Sequence, residues 1–452
     1  MSVRLKISSS QWQNLSSRLL TLDQNENAAF LLCGRSQYLD NTDLLVRDIV
    51  DVPLSGYISR LPFHLEIHPD EINKVVSMAA EMNYTIVMVH SHPGSNEARF
   101  SRSDDAGEQR LMPVLTGLVP APHGSLVITP TDWSGRIWWE RESVPMDRLL
   151  VVGPRMLTPG RQRITTSDTP SGIFERQNRV WGLQGQSTIS ELKVGIVGLG
   201  GTGSCVAEEI RRLGVLDLIL VDPDVLEATN LSRMYGTSAR SSLGQSKVSI
   251  VADHLEGLLP IRASIVSIAD TVTNEATLRR LRDRDVIMCC TDTLVSRAVL
   301  NRFAYQYMIP VIDMGVRIDA RGSVLQGASG RVSVTGVDVT CLRCSGHLDP
   351  DLLREELTPK DEYSRLSAEG YIRGTGDPEP QVVSLNSTAA SLAVTAMIGQ
   401  MTGLFEPAPE QMYDVVSGSV FPVKAVHKIN CDVCGPCGLR GMGDALPASP
   451  VA

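Results

Sequence analysis

At 452 residues the chain exceeds the roughly 250–300 at which single hydrophobic cores stop growing, so two or three domains are expected. Its 42% hydrophobic and 21% charged residues are those of an ordinary globular protein, and no apolar run approaches the ~18 residues that a membrane-spanning helix requires. Lys+Arg of 42 against Asp+Glu of 51 gives a net charge of −9, which argues against broad nucleic-acid binding or docking on an anionic membrane and leaves small molecules or proteins as expected partners.

The opening segment, MSVRLKISSSQWQNL, lacks the basic stretch and unbroken apolar run of a secretory signal, and a cytoplasmic location is expected. Residues 1–152 read as a mixed α/β domain. Amphipathic helices are predicted at Ser10–Leu20 and Pro69–Met82, with strands at Ala28–Leu32, Asp43–Val50, Thr85–Val89 and Ser125–Ile128. The third of these strands runs into Val89-His90-Ser91-His92-Pro93, which puts two imidazoles on one side of a strand end. A polar loop from Gly94 to Asp104 then brings a carboxylate within reach. Two histidines, one carboxylate and an open fourth position are the ligand set of a catalytic zinc. His64 and His68 have no such pattern around them and read as ordinary histidines.

This region resembles the JAB/MPN (JAMM) zinc isopeptidases, whose pattern is His-x-His followed by Ser-x-x-Asp. The resemblance makes His90, His92 and Asp104 zinc ligands and Ser101 a donor to the oxyanion of the tetrahedral intermediate. It also implies a glutamate from an early strand as general base. Glu26 is the best candidate, although the family spacing would place Asn27 at that point unless a bulge intervenes, and Glu66 and Glu71 are reserves.

A Pro-, Gly-, Ser- and Thr-rich stretch over residues 153–172 reads as a linker. Beyond it strands alternate with helices: Lys193–Val197, helix Gly203–Leu213, Leu218–Asp222, helix Ser246–Leu258, Ser264–Ser267, helix Glu275–Arg282, Val286–Cys289, helix Leu294–Met308 and Val311–Asp313. This order predicts a Rossmann-like, largely parallel sheet covered on both faces. A polar stretch over residues 349–380 and an Ala-rich helix near Ser387–Met401 follow.

The first of these strands enters Gly198-Leu-Gly200-Gly201-Thr-Gly203, a turn that lets backbone amides and a helix N-terminus approach phosphate. Asp222, at the end of the next strand, is placed to bind ribose hydroxyls, and so far NAD is a rival to ATP. Asp224, Asn230, Arg233, Lys247 and Asp292 weigh against a dehydrogenase, which has no chemical need for them. Carboxylate attack on an α-phosphate does, because it builds negative charge and expels pyrophosphate with magnesium.

This half resembles the ubiquitin-activating enzymes and their ThiF/MoeB adenylyltransferase relatives, over residues 173–440. The resemblance assigns Asp222 to the ribose, Asn230, Arg233 and Lys247 to the ATP phosphates and Asp292 to magnesium, with Asp224 in support. Arg176, in Phe174-Glu-Arg-Gln177, is similar to the arginine that reaches a partner subunit's ATP site, which implies a homodimer. The pairs Cys341-x-x-Cys344 and Cys431-x-x-Cys434 have metal spacing on their own account, and they occupy the places of the superfamily's structural zinc. Cys437 reads as a spare thiol or alternative ligand. No cysteine lies between Cys344 and Cys431, where many activating enzymes carry their thioester nucleophile. Cys205, Cys289 and Cys290 read as buried packing residues.

Together these features imply a bifunctional enzyme for a ubiquitin-like carrier with a C-terminal glycine, adenylating it with ATP and Mg2+ and processing or deconjugating it with zinc. Sulfur-carrier activation is the alternative within that class, and a non-enzymatic scaffold that binds such carriers is the alternative outside it. A final segment, 441–452, reads as a tail.

Overall fold

The computed structural model describes residues 2–139, 142–160, 172–238, 240–241, 243–321, 324–359, 362 and 380–449. Most of the expected linker (161–171), most of the polar stretch before residue 380 and the last three residues of the tail lie outside the described residues. The described residues form two units. One holds those of Met1–Arg163 with Gln306–Met308 and Arg440–Pro447, and the other holds the remainder.

The first unit is organised by strand parity. Its strands are β1 (Ser2–Ser8), β2 (Ala28–Tyr38), β3 (Asn41–Asp51), β4 (Tyr57–Leu61), β5 (His64–Ile67), β6 (Thr85–Ser91), β7 (His123–Ile128), β8 (Trp133–Trp139), β9 (Glu142–Pro145) and β10 (Arg148–Val152). Eight of them make one sheet in the order β10-β1-β3-β2-β6-β7-β8-β9, while β4 and β5 pair as a separate hairpin. Along β2, Ala29, Leu31 and Cys33 join a core with Leu15 and Leu19 of helix α1 (Ser9–Leu19). The alternate residues Ala28, Phe30 and Leu32 join a second core with Val75 and Ala79 of α2 (Pro69–Met82) and Met112 and Leu115 of α3 (Arg102–Leu118). Both faces of the sheet are therefore buried, which is why β2 reads as an unbroken apolar run.

Strands β4, β5, β8, β9 and β10 were not among the expected elements, and two further departures have a physical reason. Strand β1 was not anticipated because its pattern is broken by Arg4 and Lys6, both of which are buried. A single buried carboxylate serves them: Arg4 Nε lies 2.6 Å from Asp43 Oδ1 and Lys6 Nζ 2.9 Å from Asp43 Oδ2. Burial alone would raise the Asp43 carboxyl, but the two cations overcome it and hold it below the usual carboxylate range. The expected loop from Gly94 to Asp104 ends sooner, because Ser101 is the N-cap of α3 and Asp104 lies in its first turn.

The second unit is built as the alternation predicts. Its strands are β11 (Lys193–Val197), β12 (Asp217–Val221), β13 (Ser264–Ile268), β14 (Val286–Cys289), β15 (Val311–Arg321), β16 (Val324–Thr335), β17 (Glu410–Asp414) and β18 (Ser419–Pro422). The sheet order is β13-β12-β11-β14-β15-β16-β17-β18, parallel through β15 and antiparallel beyond it. The helices are α4 (Glu175–Glu191), α5 (Gly201–Arg212), α6 (Lys247–Glu256), α7 (Glu275–Arg280), α8 (Leu294–Gln306), α9 (Pro350–Leu357) and α10 (Val383–Thr402). Strand β15 runs eight residues past the expected Val311–Asp313 and turns back as β16. Among the described residues no helix is long and apolar enough to cross a membrane.

Candidate functional site

In the first unit the ligand candidates come from two elements. Strand β6 lies inside the sheet, paired antiparallel with β2 and parallel with β7; His90 ends the register with β2 opposite Ala28 and stands opposite Val127, one residue before the register with β7 ends. His92 follows just past the strand, its backbone N–H donating to Ile128 O at 2.9 Å. The two side chains share a face, with their Nε2 atoms 3.2 Å apart. Asp104 arrives from α3, Oδ1 standing 3.4 Å from His90 Nε2. Ligand atoms of His90, His92 and Asp104 lie within 4.8 Å of one another, a nitrogen and carboxylate donor set that suits zinc.

Asp104 also completes a capping box. The Ser101 backbone N–H donates to its Oδ2 at 2.6 Å, and the Asp104 backbone N–H donates to Ser101 Oγ at 3.1 Å. Ser101 Oγ therefore accepts from its own helix, and its hydroxyl also stands against the Asp104 carboxylate, helping to hold it below the usual carboxylate range. Both residues line a cleft of about 160 Å³ with Glu26, His64 and His92. His64 is exposed on β5 at this cleft, whereas the His68 side chain caps α2, accepting from the Asp70 N–H at 3.3 Å.

The spacing alone left Glu26 and Asn27 in competition, and the geometry separates them. Glu26 Oε1 is 3.5 Å from His92 Nε2. The Asn27 side chain turns away, its Nδ2 donating to Leu19 O at 3.1 Å and Thr21 Oγ1 at 3.0 Å, while its Oδ1 accepts from Arg60 Nε at 2.9 Å. No bulge on β2 is involved: its pairing with β6 is regular from Ala28 to Cys33. Burial pushes the Glu26 carboxyl up to about 7, against the lowering effect of His90.

In the second unit β11 delivers the chain into the glycine loop. Gly198 has φ of 86°, and a Cβ on Gly203 would overlap Gly198 O, so neither position accepts a side chain. Gly200 is the N-cap of α5 and offers no capping side chain. A cleft of about 680 Å³ opens here, lined by Gly198, Gly200, Gly201, Asp222, Asp224, Asn230, Arg233, Lys247 and Asp292 among others. Gly203 is not part of this lining, and Arg176 is exposed in the first turn of α4, away from it.

Within this cleft Asp222 accepts from the Leu199 N–H at 2.6 Å and the Asp224 N–H at 2.8 Å, which fixes the loop against β12. Burial pushes the Asp222 carboxyl up, opposed by those two amides. Lys247, the first residue of α6, pairs with Asp224 Oδ2 at 2.8 Å. Sequence reasoning missed Glu356 of α9, which also lines the cleft and accepts from the Leu294 N–H at 2.8 Å at the start of α8. No local pattern marks it, because its role depends on a helix 62 residues earlier in the chain.

Cys341, Cys344, Cys431 and Cys434 converge with their sulfurs within 4.8 Å of one another, a cluster suited to tetrahedral zinc. The Cys341 and Cys431 sulfurs are 3.7 Å apart, and the hydrogen-bonded Cys434 thiol favours the Cys341 thiolate. Cys437 is exposed and lies outside the cluster.

The ThiF family model matches residues 174–432, more than half of the chain. The chain belongs to the ThiF family. In front of that ThiF domain, residues 8–141 match the family of prokaryotic homologs of the JAB domain. Molybdopterin-synthase adenylyltransferase of Escherichia coli K12 is 25% identical over 261 residues, covering 57% of this chain and 92% of that protein. Adenylyltransferase and sulfurtransferase UBA4 of Meyerozyma guilliermondii is 28% identical over 50% of this chain and 47% of its own length. The ATP-dependent ubiquitin transferase-like protein Cap2 of Enterobacter hormaechei is 38% identical over 104 residues, 23% of this chain and 17% of Cap2. A crystal structure of E. coli MccB with succinimide has a TM-score of 0.48 at 17% identity, covering 60% of this chain and 75% of that one, a likeness too low to carry an argument.

Proposed function

We propose that the ThiF domain adenylates the C-terminal glycine of a small ubiquitin-like or sulfur-carrier protein, and that the JAB domain hydrolyses the bond after such a glycine. The observation that carries this reading is the single cleft in which Asp222, Asn230, Arg233, Lys247 and Asp292 meet the glycine loop. A carrier carboxylate oxygen attacks the α-phosphorus of ATP, the bond from that phosphorus to the bridging oxygen breaks, and pyrophosphate leaves. Asp222 accepts from the ribose hydroxyls, while Asn230, Arg233 and Lys247 meet the phosphates and neutralise the charge that develops. Asp292 would hold magnesium, whose charge eases departure of pyrophosphate. With no cysteine between Cys344 and Cys431, a thiol, amine or sulfide of an acceptor attacks the acyl carbon of the adenylate directly, the bond from that carbon to the AMP oxygen breaks, and AMP leaves. The exposed Arg176 is assigned to the partner's cleft in a homodimer.

In the JAB domain, His90, His92 and Asp104 would hold zinc, which supplies the Lewis acidity that brings the pKa of water towards ~7. Glu26 takes the proton of the attacking water and returns it to the leaving amine, and the Ser101 hydroxyl donates to the developing oxyanion. With the four-cysteine cluster included, metal analysis of the full chain should give two zinc ions. His90→Ala should lose one of them and Cys341→Ser the other; a chain that holds neither would remove the metal assignments.

The relatives support both a sulfur-carrier and a conjugation reading. The long match to molybdopterin-synthase adenylyltransferase favours the first, and the higher identity to Cap2 over a short span favours the second. A carrier thiocarboxylate as product selects sulfur transfer, and covalent carrier–protein adducts select conjugation. The decisive assay is ATP–pyrophosphate exchange with small glycine-ended carriers. Asp292→Ala should lower the exchange by at least about 100-fold. Carrier binding without any exchange would instead favour the scaffold.

A further inference from the structure

Behind the glycine loop stands a residue that the ligand set above does not use. Asn386, in the first turn of α10, is 2% exposed, and its Nδ2 has no hydrogen-bond partner among the described residues. Arg233 Nε is likewise buried without a partner. Both crowd against Gly201, the first residue of α5: a Cβ built there would overlap Asn386 Nδ2 and lie 3.2 Å from Arg233 Cγ and Cδ. Gly201 and Arg233 both line the nucleotide cleft.

Buried amide donors are almost always paired, and leaving one unpaired is costly. Here the buried amide stands beside the stem of Arg233, whose Nε also lacks a partner among the described residues, and beside the uncapped start of a helix, where backbone N–H groups point outward. All three are donors, so the ligand they have in common is an anion. We infer that Asn386 is a further phosphate-binding residue of the ThiF domain, its side-chain amide donating to a phosphate oxygen of ATP seated over the first turn of α5. The inference rests on the reading of the cleft as an ATP site. Glycine at 201 is the complementary requirement, since a side chain there would fill the space that Asn386 and Arg233 occupy.

The test compares the affinity of the full chain for ATP and for adenosine, which has the base and ribose but no phosphate. Asn386→Ala should weaken ATP binding by about tenfold or more, the usual cost of losing a hydrogen bond to a charged group. Adenosine binding should change less than about twofold on that scale. Asn386→Asp keeps the shape of the side chain, guards against a folding failure of the alanine variant, and should weaken ATP binding at least as much because it sets a carboxylate against phosphate. In an Arg233→Ala background the Asn386→Ala loss should persist. Its disappearance there would mean that Asn386 only holds Arg233 in place, which overturns the inference. Unchanged ATP affinity in both Asn386 variants, in a chain whose Lys247→Ala variant is weakened, overturns the inference and leaves the ATP reading standing. A wild-type chain with no affinity for ATP overturns both.

Discussion

Glu26→Gln is expected to lower the hydrolytic rate of the JAB domain by about 10²–10⁴-fold, the usual contribution of a positioned general base. The substitution keeps the size of the side chain and removes only its ability to take a proton. Glu26 stands 3.5 Å from His92 without belonging to the cluster of His90, His92 and Asp104, so the variant should retain its zinc. Rate and metal content must therefore be measured on the same preparation, with a carrier extended beyond its terminal glycine as substrate. A Glu26→Gln variant that keeps both zinc and rate would transfer the base to another residue. Loss of rate together with zinc would show Glu26 to be part of the ligand set.

The second large effect is on stability. Asp43→Ala should destabilise the first unit by about 3–5 kcal/mol, because it removes the counter-charge shared by two buried cations, Arg4 and Lys6. For a unit of this size that is a fall of roughly 10 °C in midpoint. The wild-type chain should also show a particular acid dependence. The Asp43 carboxyl is held below its ordinary value in the folded state, so its contribution is complete at pH values above the ordinary carboxylate range. That contribution is lost as the pH falls through the depressed folded value, and the Asp43→Ala variant should lack this part of the acid slope. Denaturant melts of both proteins between neutral and acid pH check the claim. A difference below about 1 kcal/mol at neutral pH would mean that the two cations find adequate partners without Asp43.

How much of this was legible in the sequence depends on how far apart the interacting residues lie. His90, His92, Ser101 and Asp104 fall within fifteen residues, and the pattern that names them survives in one dimension. The same Ser-x-x-Asp is also a capping box, so the start of α3 was written there too, although the surrounding polar residues read as loop. Glu26 was the better candidate although its spacing pointed to Asn27, because which of the two faces the histidines depends on the partners that hold the Asn27 side chain, Leu19, Thr21 and Arg60. The glycine loop and its alternating strands were legible for the opposite reason: parallel strands buried on both faces leave long apolar runs. Strand β1 was hidden by Arg4 and Lys6, whose partner Asp43 lies on β3. Asn386 was hidden by distance, since it meets Gly201 only after most of the ThiF domain has folded between them.

The capping box on α3 has one further consequence, which concerns denticity. One oxygen of Asp104 is already occupied by the backbone N–H of Ser101, and the other faces His90. An ion held at this cluster would meet a carboxylate with one oxygen to give, so the chain supplies three donor atoms in all. Three protein donors are what separate zinc sites that turn over substrate from the four-donor sites that only hold a fold together, and the four-cysteine cluster of this chain offers four.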